Sequence, residues 1–350
     1  MLDDSPELRW AVVGVTGFIL AFALFRCLCW VVEACIVFDP TVTPVAVPGD
    51  GSAMFTPLPE PPTSACNDEL LPVCSPCPAS PLLGVRGNSS DRHDPSLPSF
   101  LPSTASVFAS AASGYLHVRT IAGEGSGLCL IAHGNNGNID VFHADYDAIS
   151  RRFRRTVVFD YRGYGSSRDG LELRWGCLGS LLFRWWKLSE RTVTTDFLCV
   201  WSHLRAAYPT ECITVVGYSL GGGISVSSLA QLPRGDLPYI KRLILLATFT
   251  SVLDVAAERV GCWARLTMRN RFDSERHLLD LACPFPVSIV AAETDDKFKD
   301  PMGMAARLSR SVYNSGSLEE CRLLCPPGST HGNVLEILDE WWEAAVAVGV

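Results

Sequence analysis

Short, nearly continuous apolar runs recur through the second half of the chain, and each one opens into a polar or glycine-bearing turn. Leu128 to Ala132, Thr156 to Phe159, Cys212 to Val216, Pro284 to Ala292 and Cys321 to Cys325 are of this kind. Strands that bury both faces read this way, without the alternation of a half-exposed sheet. The pattern predicts buried strands whose ends carry the functional groups. Earlier in the chain the pattern changes twice. From Trp10 to Val32 only Arg26 is charged, and a helix of that length spans about 34 Å against a hydrocarbon core of about 30 Å. The stretch after it is rich in proline and small polar residues and has no clear period, which reads as a tether, partly disordered or extended.

The turns carry the chemistry. Gly217-Tyr218-Ser219-Leu220-Gly221 follows a buried run and precedes Gly222 and Gly223, the arrangement of a nucleophile on a sharp strand-to-helix turn. A serine hydroxyl attacks only when a base takes its proton, so an acid and a histidine should follow. The run ending at Ala292 opens into Glu293-Thr294-Asp295-Asp296, where Asp295 is the chosen acid and Asp296 stays open as its alternative. The loop after Cys325 ends at Thr330-His331, which makes His331 the base. His133-Gly134-Asn135-Asn136-Gly137-Asn138 can aim backbone N–H groups at an oxyanion, and the amides of Asn135 and Leu220 are the expected pair of donors. His133 is read as orienting its loop, and Asp160 and Arg162 in Asp160-Tyr161-Arg162-Gly163-Tyr164-Gly165 as pinning a turn.

The chain order Ser219, Asp295, His331 is that of α/β-hydrolases rather than of chymotrypsin-like or subtilisin-like enzymes. With the His-Gly-Asn loop, the Asp-Tyr-Arg-Gly-Tyr-Gly turn and the Gly-Tyr-Ser-Leu-Gly-Gly elbow, residues 115–350 resemble the eukaryotic membrane-associated α/β-hydrolase-domain proteins. The resemblance implies an α/β-hydrolase fold: a mostly parallel central sheet with helices on both faces and a small cap, here over Leu253 to Leu281. It also implies a Ser219-His331-Asp295 triad and an oxyanion donor at Asn135. Members include acyl-protein thioesterases, lysophospholipid or monoacylglycerol lipases and serine-aminopeptidase-like proteins. Departures are Ala291-Ala292 where a His-Gly pair is usual, Phe298 in place of a common valine, and Gly332-Asn333 after the histidine.

The expected organisation is therefore a membrane segment over 1–38, a tether over 39–103 and a catalytic domain over 104–350. The expected activity is hydrolysis of acyl esters or thioesters, of lipid or of S-acylated protein, through an acyl-enzyme and without a cofactor. A serine peptidase and a non-catalytic binding protein on the same fold are the alternatives. A formal charge of −8 argues against a nucleic-acid partner, and the single Cys74-Ser75-Pro76-Cys77 pair lacks a second pair at zinc spacing, so no metal is expected. The expected partners are the bilayer and an acylated substrate.

The side of the membrane stays open. Arg9, the one basic residue ahead of the segment, leans toward a cytoplasmic N-terminus, and Asn88-Ser89-Ser90 would then be a usable glycosylation site. Cys129, Cys199 and Cys212 lean the other way, because thiols in apolar runs read as buried and free. Cys27 and Cys29 are candidates for S-acylation. The stretch from Asp169 to Arg191, with Trp175, Trp185 and Trp186, reads as an insertion at the active-site mouth or against the bilayer, or else as a helix packed on the core.

Overall fold

The computed structural model describes residues 66–72, 114–135, 137–140, 143–169, 177–178, 188–261, 264–317 and 320–347. Eight strands form one sheet: β1 (Cys66–Pro72), β2 (Tyr115–Ala122), β3 (Leu128–Ala132), β4 (Arg155–Phe159), β5 (Ile213–Tyr218), β6 (Ile240–Leu246), β7 (Val287–Val290) and β8 (Cys321–Leu324). Their order is β1-β2-β4-β3-β5-β6-β7-β8. The first three in that order pair antiparallel, and every pairing from β4 to β8 is parallel. β1 lies inside the stretch that reads as tether, and it pairs with β2 from Tyr115 to Ile121. Seven residues without a hydrophobic pattern are recruited to the sheet by backbone pairing, which the side-chain pattern does not encode.

The continuous apolar runs divide between two cores by the period of two that every strand obeys. In β3, Leu128, Leu130 and Ala132 face one core while Cys129 and Ile131 face the other; in β5, Val215 and Val216 divide the same way. Helices cover both faces. They are α1 (His143–Ser150), α2 (Glu190–Ala207), α3 (Leu220–Leu229), α4 (Val252–Val260), α5 (Ala264–Thr267), α6 (Ser274–Leu281), α7 (Pro301–Asn314) and α8 (Leu338–Val346). Helix α2 starts where the Ser189 side chain accepts the Thr192 N–H, and Val193, Phe197, Val200, Trp201 and Leu204 form its buried stripe. The stretch read as a cap holds α4, α5 and α6; Trp263 lies outside the described residues.

The order in which successive strands join the sheet reverses around β3, which has β4 on one side and β5 on the other, all three running parallel. In an open parallel sheet such a switch point leaves a crevice at the carboxyl ends of the flanking strands. The His133-Gly134-Asn135 loop leaves β3 there and Ser219 leaves β5 there.

The far edge is tied down by two cations, one buried and one half-buried. The guanidinium of Arg242 on β6 donates to Ser288 Oγ at 3.2 Å and to the carbonyls of Ala345 at 2.9 Å and Val346 at 3.4 Å. Arg322 on β8 donates to Ala344 O at 2.7 Å. Both cations therefore meet the carbonyl end of α8, where backbone acceptors and the helix dipole favour positive charge. Burial lowers the pKa of Arg242, so the site tolerates the charge only because those acceptors surround it. Arg242→Met is expected to lower the unfolding free energy by about 1.5 to 3 kcal/mol, the usual worth of hydrogen bonds to a charged group. Chemical denaturation would measure it, and an unchanged midpoint would mean that α8 is held by Trp341 and Trp342 packing alone.

One expectation needs correction. Among the thiols, Cys129 is buried, Cys199 is half-buried and Cys212 is exposed, because Cys212 precedes the strand that the apolar run predicts it to begin. Of the Asp169 to Arg191 stretch, residues 170–176 and 179–187, with all three tryptophans, lie outside the described residues; Leu178 is exposed. Among the described residues no helix is long and apolar enough to cross a membrane. The Trp10 to Val32 segment, Cys27, Cys29, Cys74, Cys77 and Asn88 lie outside those residues.

Candidate active site

Ser219 connects β5 to α3 with φ 52° and ψ −116°, a left-handed backbone in a residue that has a Cβ. Such strain costs of order 1 to 3 kcal/mol and persists where the surroundings over-determine it. Here the turn is closed by the absence of side chains. A Cβ on Gly221 would lie 2.0 Å from Ala132 O, and one on Gly217 would lie 2.7 Å from Gly221 O and Gly222 Cα. The glycines on either side of Ser219 therefore let β3, β5 and α3 meet at van der Waals distance.

His331 Nε2 stands 3.0 Å from Ser219 Oγ, and His331 Nδ1 stands 2.7 Å from Asp295 Oδ2. The Asp295 side chain is wholly buried and its other oxygen, Oδ1, accepts the backbone N–H groups of Lys297 at 2.7 Å and Phe298 at 3.0 Å. Every oxygen of that carboxylate is satisfied. The imidazole is nearly buried and Ser219 is half-buried. Asp296, the alternative acid, points outward: its side chain is 70% exposed and pairs with Lys297 at 2.8 Å, whose ammonium holds its carboxyl below the usual range. The geometry brings Asp295, not Asp296, to the histidine.

The loops after β7 and β8 are zipped together beyond the strands, and this brings Asp295 and His331 to the same place. Glu293 N donates to Ser329 Oγ at 2.8 Å, Thr294 N to Ser329 O at 3.0 Å, and Gly328 N to Glu293 Oε2 at 2.6 Å. Asn333, a departure from the usual pattern, closes the turn around His331: its Oδ1 accepts Thr330 N at 2.6 Å and its own N–H donates to Thr330 Oγ1 at 3.1 Å.

Leu220 is the first residue of α3, where the helix leaves backbone N–H groups without an intrahelical partner. The Gly134 backbone approaches the same point, since a Cβ there would lie 3.0 Å from the Tyr218 ring and 3.5 Å from Ser219 Cβ. Asn135 is fixed through its side chain, whose Oδ1 accepts the Tyr164 hydroxyl at 2.9 Å. His133 is fully buried, faces the Tyr161 ring at 4.3 Å between centroids, and donates from Nδ1 to Gly134 O at 2.7 Å. Burial lowers its pKa, which keeps it a neutral donor to the loop.

Asp160 and Arg162 belong to a buried polar frame beneath this loop. Asp160 accepts Ile139 N at 2.9 Å and lies 3.3 Å from His117 Nδ1. Arg162 Nε donates to Asp196 Oδ1 at 2.7 Å; burial raises the Asp196 carboxyl to about 6, although the guanidinium pulls the other way.

Two residues at the site carry no signal in the sequence beyond their place in a motif. Tyr218, the variable position before the serine, donates its hydroxyl to His331 O at 2.7 Å and packs its ring 5.6 Å from the imidazole. Phe298 sets its ring edge-on to the imidazole at 5.1 Å between centroids, while its N–H holds Asp295. A bulky residue in place of valine here is a wall of the histidine's pocket.

Known proteins share parts of this chain. A family described as alpha/beta hydrolase fold matches residues 128–283. Lysophosphatidylserine lipase ABHD12 of Gallus gallus is 29% identical over 136 residues, 38% of this chain and 31% of that protein. Its counterpart from Danio rerio is 26% identical over 185 residues, 48% of this chain and 43% of that protein. The chain thus spans less than half the length of either relative. Among solved structures, Est1E from Butyrivibrio proteoclasticus with ferulic acid bound has a TM-score of 0.48 at 19% identity, covering 67% of this chain and 97% of that one.

Proposed function

We propose that this chain, a member of the α/β-hydrolase superfamily, is a serine hydrolase that cleaves acyl esters or thioesters at a membrane. The observation that carries the reading is the continuous path from Asp295 Oδ2 through His331 to Ser219 Oγ, at 2.7 and 3.0 Å. Those distances are within the reach that general-base activation of a hydroxyl requires.

In this reading Asp295 accepts from His331 Nδ1, which leaves Nε2 with its lone pair toward Ser219. The serine attacks the acyl carbonyl as its proton passes to Nε2. The carbonyl oxygen, now negative, is met by the N–H groups of Leu220 and Asn135, and His331 returns the proton to the departing alcohol or thiol. A water then gives its proton to His331 and attacks the acyl-enzyme, and His331 returns that proton to Ser219 Oγ as the acid leaves. No cofactor takes part. Identity to lysophosphatidylserine lipases supports a lipid acyl ester as substrate, and the apolar segment from Trp10 to Val32 supports a membrane anchor that concentrates the enzyme where such esters lie. An S-acylated protein presents the same carbonyl.

The purified full chain is expected to hydrolyse a lysophospholipid and a medium-chain p-nitrophenyl ester with kcat/KM at least about a hundredfold above that for an aminoacyl anilide. Hydrolysis of the anilide at comparable efficiency would move the reading to a peptidase. No turnover of any of the three would sink it.

A further inference from the structure

Ser219 keeps an unfavourable backbone, and three hydrogen bonds hold it there. Its N–H donates to Leu246 O at 2.9 Å, and its carbonyl accepts Gly222 N at 3.0 Å and the Thr248 hydroxyl at 2.8 Å. Thr248 is nearly buried and follows Ala247, which itself has a left-handed backbone at φ 42° and is fixed by its N–H to Val290 O at 2.8 Å. The chain thus turns sharply off β6 to deliver one hydroxyl to the nucleophile's carbonyl. Gly222 admits it, since a Cβ there would lie 2.3 Å from Thr248 Oγ1.

A trans peptide is planar, and its C=O and N–H point in opposite directions. A group that grips the Ser219 carbonyl therefore also aims the Leu220 N–H, which belongs to the same plane. The arrangement repeats at the neighbouring loop: His133 Nδ1 grips Gly134 O at 2.7 Å, and the N–H across that plane is Asn135. Each amide assigned to the oxyanion has a side chain holding the far end of its own peptide.

The geometry points to Thr248 as a positioning residue that acts through the Ser219–Leu220 peptide, fixing both the strained turn and the direction of the Leu220 amide. It does not touch substrate. This inference rests on the serine-hydrolase reading above and names a residue which that reading does not require. Because Gly222 N–H still reaches the carbonyl when the hydroxyl is gone, the plane loosens rather than flips. The loss is a fraction of the hundredfold or more that removal of an oxyanion donor costs: about tenfold in kcat. Substrate binding before the oxyanion forms is not affected, so KM is left alone.

The test compares Thr248→Val, which keeps the volume, and Thr248→Ser, which keeps the hydroxyl, with the wild-type full chain on a p-nitrophenyl ester. A trifluoromethyl ketone, which adds the serine to form a tetrahedral oxyanion, is titrated in parallel. Thr248→Val should lose about tenfold in kcat with KM changed less than about twofold, and should bind the ketone weaker by a similar factor. Thr248→Ser should restore both. Should the valine variant not fold, Thr248→Ala removes the same hydroxyl with less bulk and is read the same way. A lower melting temperature with unchanged kcat and ketone affinity would overturn the inference and leave Thr248 a packing residue. A wild type that turns over no ester and forms no ketone adduct would overturn the hydrolase reading itself, which keeps the two failures distinct.

Discussion

Ser219→Ala and His331→Ala are each expected to lower kcat by about a millionfold, since nucleophile and base act as one unit and the loss of either removes nearly all that the pair supplies. The physical ground is the 3.0 Å contact between His331 Nε2 and Ser219 Oγ. Without the imidazole the hydroxyl keeps its proton at neutral pH, and without the hydroxyl nothing attacks. The check is labelling with a fluorescent fluorophosphonate, beside ester turnover and a melting curve for each variant. The wild type should label and both variants should not. Folding is expected to survive both changes: Ser219 is half-buried, and alanine at His331 leaves the Tyr218 hydroxyl its bond to the backbone carbonyl of residue 331. A folded wild type that does not label, or a Ser219→Ala variant that still does, would remove the serine from the mechanism.

The second large effect separates two adjacent carboxylates. Asp295→Asn is expected to lower kcat by about ten-thousandfold, while Asp296→Asn should leave it within about twofold. In the asparagine variant Oδ1 still accepts from Lys297 and Phe298, so the amide turns its NH₂ toward His331 Nδ1. That nitrogen then has to accept, the proton moves to Nε2, and the imidazole can no longer take one from Ser219. Asp296 faces solvent and Lys297, and its charge is screened there. Equal losses from both substitutions would mean that the acid's role is diffuse electrostatics rather than orientation of the base. Melting curves keep the comparison clean, because Asp295 also closes its loop.

Much of this was legible in the chain because some physical requirements are local. A nucleophile on a strand-to-helix turn needs small residues at fixed spacing, and Gly217, Gly221 and Gly222 stand where a Cβ would strike backbone or Thr248. Buried parallel strands need unbroken apolar runs, and β3, β4, β5, β7 and β8 all fall within or against the runs that predict them. Other features left no such trace. β1 is joined by backbone pairing, which any sequence without proline inside the ladder can supply. The apolar run at Cys212 overestimates burial by one residue, because the strand begins at Ile213. Thr248 and Tyr218 act through single hydrogen bonds to backbone carbonyls, 29 and 113 residues away along the chain. No spacing rule links positions so far apart.

The sequence by itself determined the buried strands, the sharp turn at Ser219 and the place of His331 on the loop after the last strand, since each rests on residue types whose physical reasons are confined to a few neighbours. Only the tertiary structure decided the strand order that opens a crevice beside β3, the approach of Asp295 rather than Asp296 to His331, and the grip of Thr248 on the Ser219 peptide. Adjacent side chains on a loop differ by the direction they face. That direction is set by the hydrogen bonds zipping the β7 and β8 loops and by a turn off β6, contacts that exist only once distant strands have paired.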